Sequence, residues 1–139
     1  QESRGLGDVY KRQVFGTDLT GANIIVSGGL GMGSRENFKK LHTLADMLGA
    51  AVGASRAAVA AGYAGYAHQV GQTGVSVRPD IYIAFGISGA VQHLSGISGA
   101  KKIYAVNHDP KAPIHEYADF SVIADCTSVL DKLIEKAGG

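Results

Sequence analysis

The run Ile81-Tyr82-Ile83-Ala84-Phe85-Gly86 constrains this chain more than any other stretch of it. Its side chains are apolar without alternation, mostly β-branched or aromatic, and closed by a glycine. A strand with one wet face alternates polar and apolar residues, so an unbroken run belongs in a sheet covered on both faces, typically a parallel one. Parallel neighbours cannot be joined by hairpins and need crossover segments, usually helices.

The rest of the chain supplies those partners. Asn23-Ile24-Ile25-Val26-Ser27 is a second apolar run, ending in Gly28-Gly29. Ser34 is a helix N-cap followed by Phe38, Leu41, Leu44, Ala45 and Leu48 at helical spacing, and Gly49 stops the helix. Residues 50–54 read as a strand, and Ser55 caps a helix over 56–61 closed by Gly62. Residues 65–74 are polar and glycine-punctuated, hence a loop or hairpin. A short helix is expected over 91–94, a strand over 102–106, and a short helix starting at Pro113. A last strand covers 121–124, and a last helix covers 128–136 with Val129, Leu130, Leu133 and Ile134 as its apolar face. This rhythm predicts an α/β fold with a doubly wound, mostly parallel sheet, Rossmann-like and nucleotide-binding in type.

Composition narrows the function. At 139 residues and 45% hydrophobic, one domain can bury a core. Thirteen basic and 12 acidic side chains give a net charge of +1, which offers no electrostatic footprint for nucleic acid or for a membrane surface. The single cysteine, Cys126, rules out an internal disulfide and a cysteine-based zinc cage. No apolar run approaches the roughly 20 residues that span a bilayer, and no signal peptide is visible. The 20 glycines are the main departure, and glycine is favoured where backbone must approach a ligand closely.

In an open parallel sheet the ligand sits outside the carboxyl ends of the strands. Those ends carry Ser27-Gly28-Gly29, Gly53-Ala54-Ser55-Arg56, Gly86-Ile87-Ser88-Gly89, Asn107-His108-Asp109 and Ala124-Asp125. Small, hydroxyl-bearing residues with an arginine suit a phosphorylated, hydrogen-bonding ligand. The segment 86–90 leaves backbone N–H groups available to a pyrophosphate, although an ordinary tight turn would have the same composition. The loop Gly28-Gly29-Leu30-Gly31-Met32-Gly33 matches a dinucleotide fingerprint only loosely. Arg56 is suited to an anion or an aromatic ring, or is a plain surface charge. His93 faces either the ligand or a buried backbone partner. His42, His68, His108 and His115 lack metal-ligand spacing, and no metal or catalytic residue is assigned. The residues taken alone reach a nucleotide-binding α/β domain and no further.

Several strings in one order carry more: Val26-Ser27-Gly28-Gly29, then residues 51–59 (AVGASRAAV), 69–74 (QVGQTG), 82–94 (YIAFGISGAVQHL) and 107–114 (NHDPKAPI). Together they resemble the electron-transfer flavoprotein alpha family, specifically its C-terminal FAD-binding domain, from about Leu19 to Lys136. The resemblance implies an FAD held along the strand ends. By matching position, Ser55, Arg56, Gln72, Thr73 and His93 would surround the flavin end, and Val70, Gly71 and Val91 would also bind the cofactor. Ser88, Gly89, Ala90 and Gln92 would serve the ribityl and pyrophosphate part, and Asn107 and Asp125 the adenosine. Arg56 and His93 would supply positive charge or donors as the reduced flavin becomes anionic, and Thr73 a hydrogen bond to the ring.

The implied function is an electron carrier rather than an enzyme acting on an organic substrate. It would accept electrons from flavin dehydrogenases of the acyl-CoA type, as in fatty acid β-oxidation. It would work as a heterodimer with the electron-transfer flavoprotein beta subunit, without nucleic acid or membrane insertion. Its compartment would be the cytoplasm in a bacterium or the mitochondrial matrix in a eukaryote. The family's alpha subunit carries another domain before this one, so the chain is expected to be a fragment. Leu30 stands where the family's first glycine loop carries an arginine. Two rivals are an NAD-dependent enzyme on a related fold, with His93 as its base, and a domain that only braces a partner. Residues 1–13 (QESRGLGDVYKRQ) are polar and aperiodic and are similar to the translation of a sequencing adapter. They are read as a non-native or linker segment, leaving 14–139 as the FAD-binding domain.

Overall fold

The computed structural model describes residues 19–138, so the reading of 1–13 falls outside the described residues. The strands are β1 (Ile24–Gly28), β2 (Ala51–Ala54), β3 (Ile81–Phe85), β4 (Lys102–Val106) and β5 (Phe120–Val122). The helices are α1 (Arg35–Leu48), α2 (Arg56–Ala60), α3 (Val91–Ile97), α4 (Ile114–Tyr117) and α5 (Cys126–Gly138). The strands form one sheet in the order β2-β1-β3-β4-β5, and every pairing is parallel. The strand expected to be covered on both faces, β3, is the central one, with Ile81 opposite both Ile24 and Lys102.

Helices cover both faces, and each face has its own core. On one side Ile25, Tyr82, Ile97, Ile103 and Ile114 pack together, drawing in α3 and α4. On the other, Val26, Phe38, Leu41, Phe85 and Leu130 pack under α1 and α5. Fully burying a side chain of this size contributes about 1.5–3 kcal/mol. The helix α1 has the expected ends. Ser34 Oγ accepts from the Asn37 amide at 3.1 Å, and Gly49 closes the helix at φ +67°. Its buried face is Phe38, Leu41, Leu44 and Ala45, whereas Leu48 is exposed at the last turn.

Two helices differ from expectation. α5 starts at Cys126 rather than at Ser128, because Asp125 precedes it as an acceptor for the Thr127 hydroxyl, the Ser128 amide and the Ser128 hydroxyl. With that start, Cys126 and Leu130 are buried, Val129 and Ile134 pack beside them, and Leu133 faces solvent. α3 runs on to Ile97 and passes close to the 69–75 segment. A Cβ at Gly96 would lie 2.5 Å from the Gly71 Cα, so only glycine allows this approach.

The order of strands matters for the site. From β1 the chain moves outward to β2, then crosses back to pair β3 on the other side of β1. This reversal leaves a crevice at the carboxyl ends of β1 and β3. The loops leaving those strands interlock there. The Gly29 amide donates to the Phe85 carbonyl at 2.9 Å and the Gly31 amide to the Gly86 carbonyl at 3.0 Å. Gly86 has φ +68°, and a Cβ on it would meet the backbone of Gly31 and Met32. The glycines of the first loop therefore answer to the chain packed against them.

Candidate functional site

A cleft of about 850 Å³ opens at the carboxyl ends of the strands. Its walls come from the first glycine loop, the start of α2, the 70–73 segment, the 86–93 segment and the turn 107–113. These segments are distant in sequence, and the parallel sheet brings them together by ending its strands on one edge.

The loop between β3 and α3 forms the floor. The amides of Ser88, Gly89 and Ala90 donate to no carbonyl among the described residues. Their carbonyls are used: Ser88 accepts from the Ile114 amide at 2.9 Å and Ala90 from the His93 amide at 2.9 Å. Successive free amides beside a cleft are suited to an anionic oxygen. Arg56 stands at the first turn of α2, where the Ser55 hydroxyl caps the helix by accepting from the Ala58 amide at 3.2 Å. Among the described residues Arg56 meets no carboxylate. Lys111 also lines the cleft and adds a second cation.

The 69–75 segment is held rigidly. The Val70 amide donates to the Ala54 carbonyl at 2.9 Å, and the Gln72 amide to the Gln92 carbonyl at 2.8 Å. The Gln69 side-chain amide donates to Thr73 Oγ1 at 2.8 Å. That bond uses an acceptor site of the hydroxyl and leaves its proton free to donate. His93 is 5% exposed, and its Nε2 lies 2.7 Å from the Tyr82 hydroxyl oxygen. Burial pushes the imidazole down to about 4, partly offset by the Val70 backbone, so the ring is neutral at pH 7. The expectation of positive charge or a donor at His93 narrows accordingly to a donor.

Most of the residues expected at the site do line the cleft. Ser55, Arg56, Val70, Gly71, Gln72 and Thr73 line it, as do Ser88, Ala90, Gln92, His93 and Asn107. Asn107 is pinned at both ends of its side chain, donating to the Ile87 carbonyl at 3.0 Å and accepting from the Asp109 amide at 2.8 Å. Gly89, Val91 and Asp125 lie outside the walls. Gly89 packs against α4, where a Cβ would meet the Ile114 amide nitrogen at 2.6 Å. Val91 is 77% exposed on the outer side of α3. Asp125 is held in its capping role, and its hydrogen bonds to Thr127 and Ser128 keep its carboxyl below the usual range. Lys111 and the turn around it were not singled out from sequence, although the motif 107–114 contained them. Leu30, 54% exposed, sits at the mouth.

A doubly wound parallel sheet with free loop amides, two cations and hydroxyl donors around one crevice defines a nucleotide-cofactor-binding α/β domain. Comparison with known proteins makes the class specific. The family model described as "Electron transfer flavoprotein FAD-binding domain" matches residues 18–98. The chain is 52% identical over 129 residues to the electron transfer flavoprotein subunit alpha of Bacillus subtilis (strain 168), covering 93% of this chain and 40% of that protein. It is 55% identical over 119 residues to the mitochondrial subunit alpha of Oryza sativa subsp. japonica, covering 86% and 33%. Against the Paracoccus denitrificans subunit alpha it is 54% identical over 119 residues, covering 86% and 39%. The chain belongs to the electron transfer flavoprotein FAD-binding domain family, and it spans only 33% to 40% of the length of these relatives.

The cofactor of that family is FAD, and the site fits it. Free amides and cations meet the demands of a pyrophosphate, and Thr73 and His93 offer donors to the polar edge of a flavin. Among the described residues no group of histidines, cysteines and carboxylates could hold a metal ion, and no helix is long and apolar enough to cross a membrane.

Proposed function

We propose that this chain is the FAD-holding module of an electron carrier that takes electrons from flavin dehydrogenases of the acyl-CoA type and passes them to a further acceptor. FAD bound in the cleft would supply the redox chemistry. The chain's own residues would bind and tune it. Ser88, Gly89, Ala90 and Gln92 would hold the pyrophosphate and ribityl portion, with Lys111 as a cation near it. Arg56 would lie by the flavin and favour its reduced, anionic form by charge. Thr73 and His93 would donate hydrogen bonds to it. Asn107 would face the adenosine end. The relatives are named subunit alpha, which supports a partner subunit, and we take that partner to be the beta subunit in a heterodimer. Its compartment would be the cytoplasm of a bacterium or the mitochondrial matrix of a eukaryote.

The observation that carries this reading is that Ser88 and Ala90, whose amides donate to no carbonyl among the described residues, line the same cleft as Arg56 and Thr73. The NAD-dependent enzyme finds no comparable support, since its base would be His93, whose Nε2 is engaged by Tyr82. The test is the visible spectrum of the chain after incubation with FAD and gel filtration, with and without a beta subunit. Retained flavin bands are expected, and replacing Arg56 or His93 by alanine should lower the potential of the bound flavin. A colourless protein with the beta subunit present would sink the proposal.

A further inference from the structure

Tyr82 occupies the middle of the central strand and is fully buried. Phenylalanine would fill the same space in an apolar core without a polar atom to satisfy, so a buried tyrosine hydroxyl needs a partner. Here it has one on α3, His93 Nε2, at 2.7 Å. Behind it lies a second hydroxyl. Ser27 of β1 pairs with Ala84 in the sheet register, which places its side chain on the same face as Tyr82. Ser27 Oγ is buried and makes no hydrogen bond of ordinary geometry. It is nevertheless close enough to the phenol to favour its ionised form, as a hydroxyl donating to the phenolic oxygen would. On the neighbouring strand Gly53 keeps this pocket open, because a Cβ there would fall against Ser27 Oγ.

The direction of the hydrogen bonds follows. Burial pushes the Tyr82 phenol up, so it keeps its proton, and pushes His93 down, so the imidazole is neutral. A neutral imidazole has one N–H, and the bond made by one nitrogen decides which nitrogen carries it. Nδ1 is buried and has no hydrogen-bond partner among the described residues, while the nearby Val70 backbone favours a protonated nitrogen on the ring. We propose that Tyr82 is a positioning residue for His93: Tyr82 donates to Nε2, and the ring is fixed as the Nδ1–H tautomer at the wall of the cleft. The tautomer is a property of the chain alone. Its consequence for a flavin rests on the reading of the cleft given above.

Long-range proton–nitrogen NMR of the nitrogen-labelled chain reads the tautomer directly, with His93→Gln identifying the signals. The wild-type chain should show a protonated Nδ1 and a bare Nε2. Tyr82→Phe should abolish that single state and give a mixture or the opposite tautomer. A wild-type ring protonated on Nε2 overturns the proposal whether or not the variant folds. So does an unchanged ring in a folded Tyr82→Phe chain. After loading with FAD, Tyr82→Phe should shift the potential of the bound flavin and weaken its binding about fivefold, the scale of one ordinary hydrogen bond. A changed tautomer with unchanged potential and affinity overturns the positioning role. A wild-type chain that takes up no FAD even with a beta subunit refutes the reading of the cleft instead, and the NMR result stands apart from it.

Discussion

Gly86→Ala and Gly49→Ala place the same methyl group on two glycines with nearly the same backbone, φ +68° and φ +67°. Their surroundings differ. At Gly49 nothing lies within 4 Å of the added Cβ, whereas at Gly86 it would be 2.8 Å from the Gly31 carbonyl carbon and 2.9 Å from the Met32 nitrogen. The obstructing atoms are backbone, and the Gly31 amide that donates to the Gly86 carbonyl at 3.0 Å ties them in place. Left-handed backbone costs alanine about 1–2 kcal/mol at either position. Forcing a methyl into packed backbone adds about 1–3 kcal/mol at Gly86 alone. The expected losses are therefore about 1 kcal/mol for Gly49→Ala and about 3 kcal/mol for Gly86→Ala. With a urea slope of about 2 kcal/mol/M, the midpoints should fall by about 0.5 M and about 1.5 M. Urea titration of both variants beside the wild type, followed by far-ultraviolet circular dichroism, makes the measurement. Equal shifts would refute the argument that the two loops are locked by close approach.

The remaining predictions concern the site and its supports. Leu30→Arg should tighten FAD binding about threefold to tenfold in a fluorescence titration, with the gain fading as salt is raised, because the position is exposed at the cleft mouth. Unfolding followed against pH should show wild-type stability falling relative to His93→Gln as pH drops from 6.5 to about 4. Over that window the unfolded ring takes a proton that the buried ring refuses, and the difference is about 3 kcal/mol. Asp125→Ala should destabilise the chain at neutral pH by removing the cap of α5. Because hydrogen bonds to Thr127 and Ser128 hold the folded carboxyl below the usual carboxylate range, that deficit should shrink as pH falls through and below that range, a trend visible in the same unfolding series.

The elements were legible in the sequence wherever a local signal was strong. Unbroken apolar runs marked β1, β3 and β4, and Ser34 with Gly49 bounded α1 because caps act within a few residues. The signal at Asp125 was equally local but ambiguous. An aspartate at a strand end serves as a ligand or as a helix cap, and only the hydrogen bonds to Thr127 and Ser128 separate the two. The cleft was legible in outline, since strand ends converge in any parallel sheet, and the motif strings supplied Ser55, Arg56, Thr73 and His93. Val91 and Gly89 share a string with His93 yet face elsewhere, because neighbours on one short turn point in different directions. Ser27 and Tyr82 stood inside the motif strings, but nothing in the sequence linked either hydroxyl to His93. Each reads as an ordinary strand residue until the β1–β3 register and the docking of α3 bring them to one place.

The sheet divides the interior into two apolar compartments, and this division has an evolutionary consequence. Ile25, Tyr82 and Val70 belong to one compartment, together with the buried face of the cleft; Phe38, Leu41 and Leu130 belong to the other. Substitutions that share no neighbours combine almost independently. Residues under α1 and α5 are therefore free to drift and compensate among themselves, changing the melting temperature of the lineage while the His93 side of the cleft stays put. Drift on the His93 side has no such freedom. There the same side chains serve both packing and chemistry, so divergence among homologues should be lopsided across the sheet.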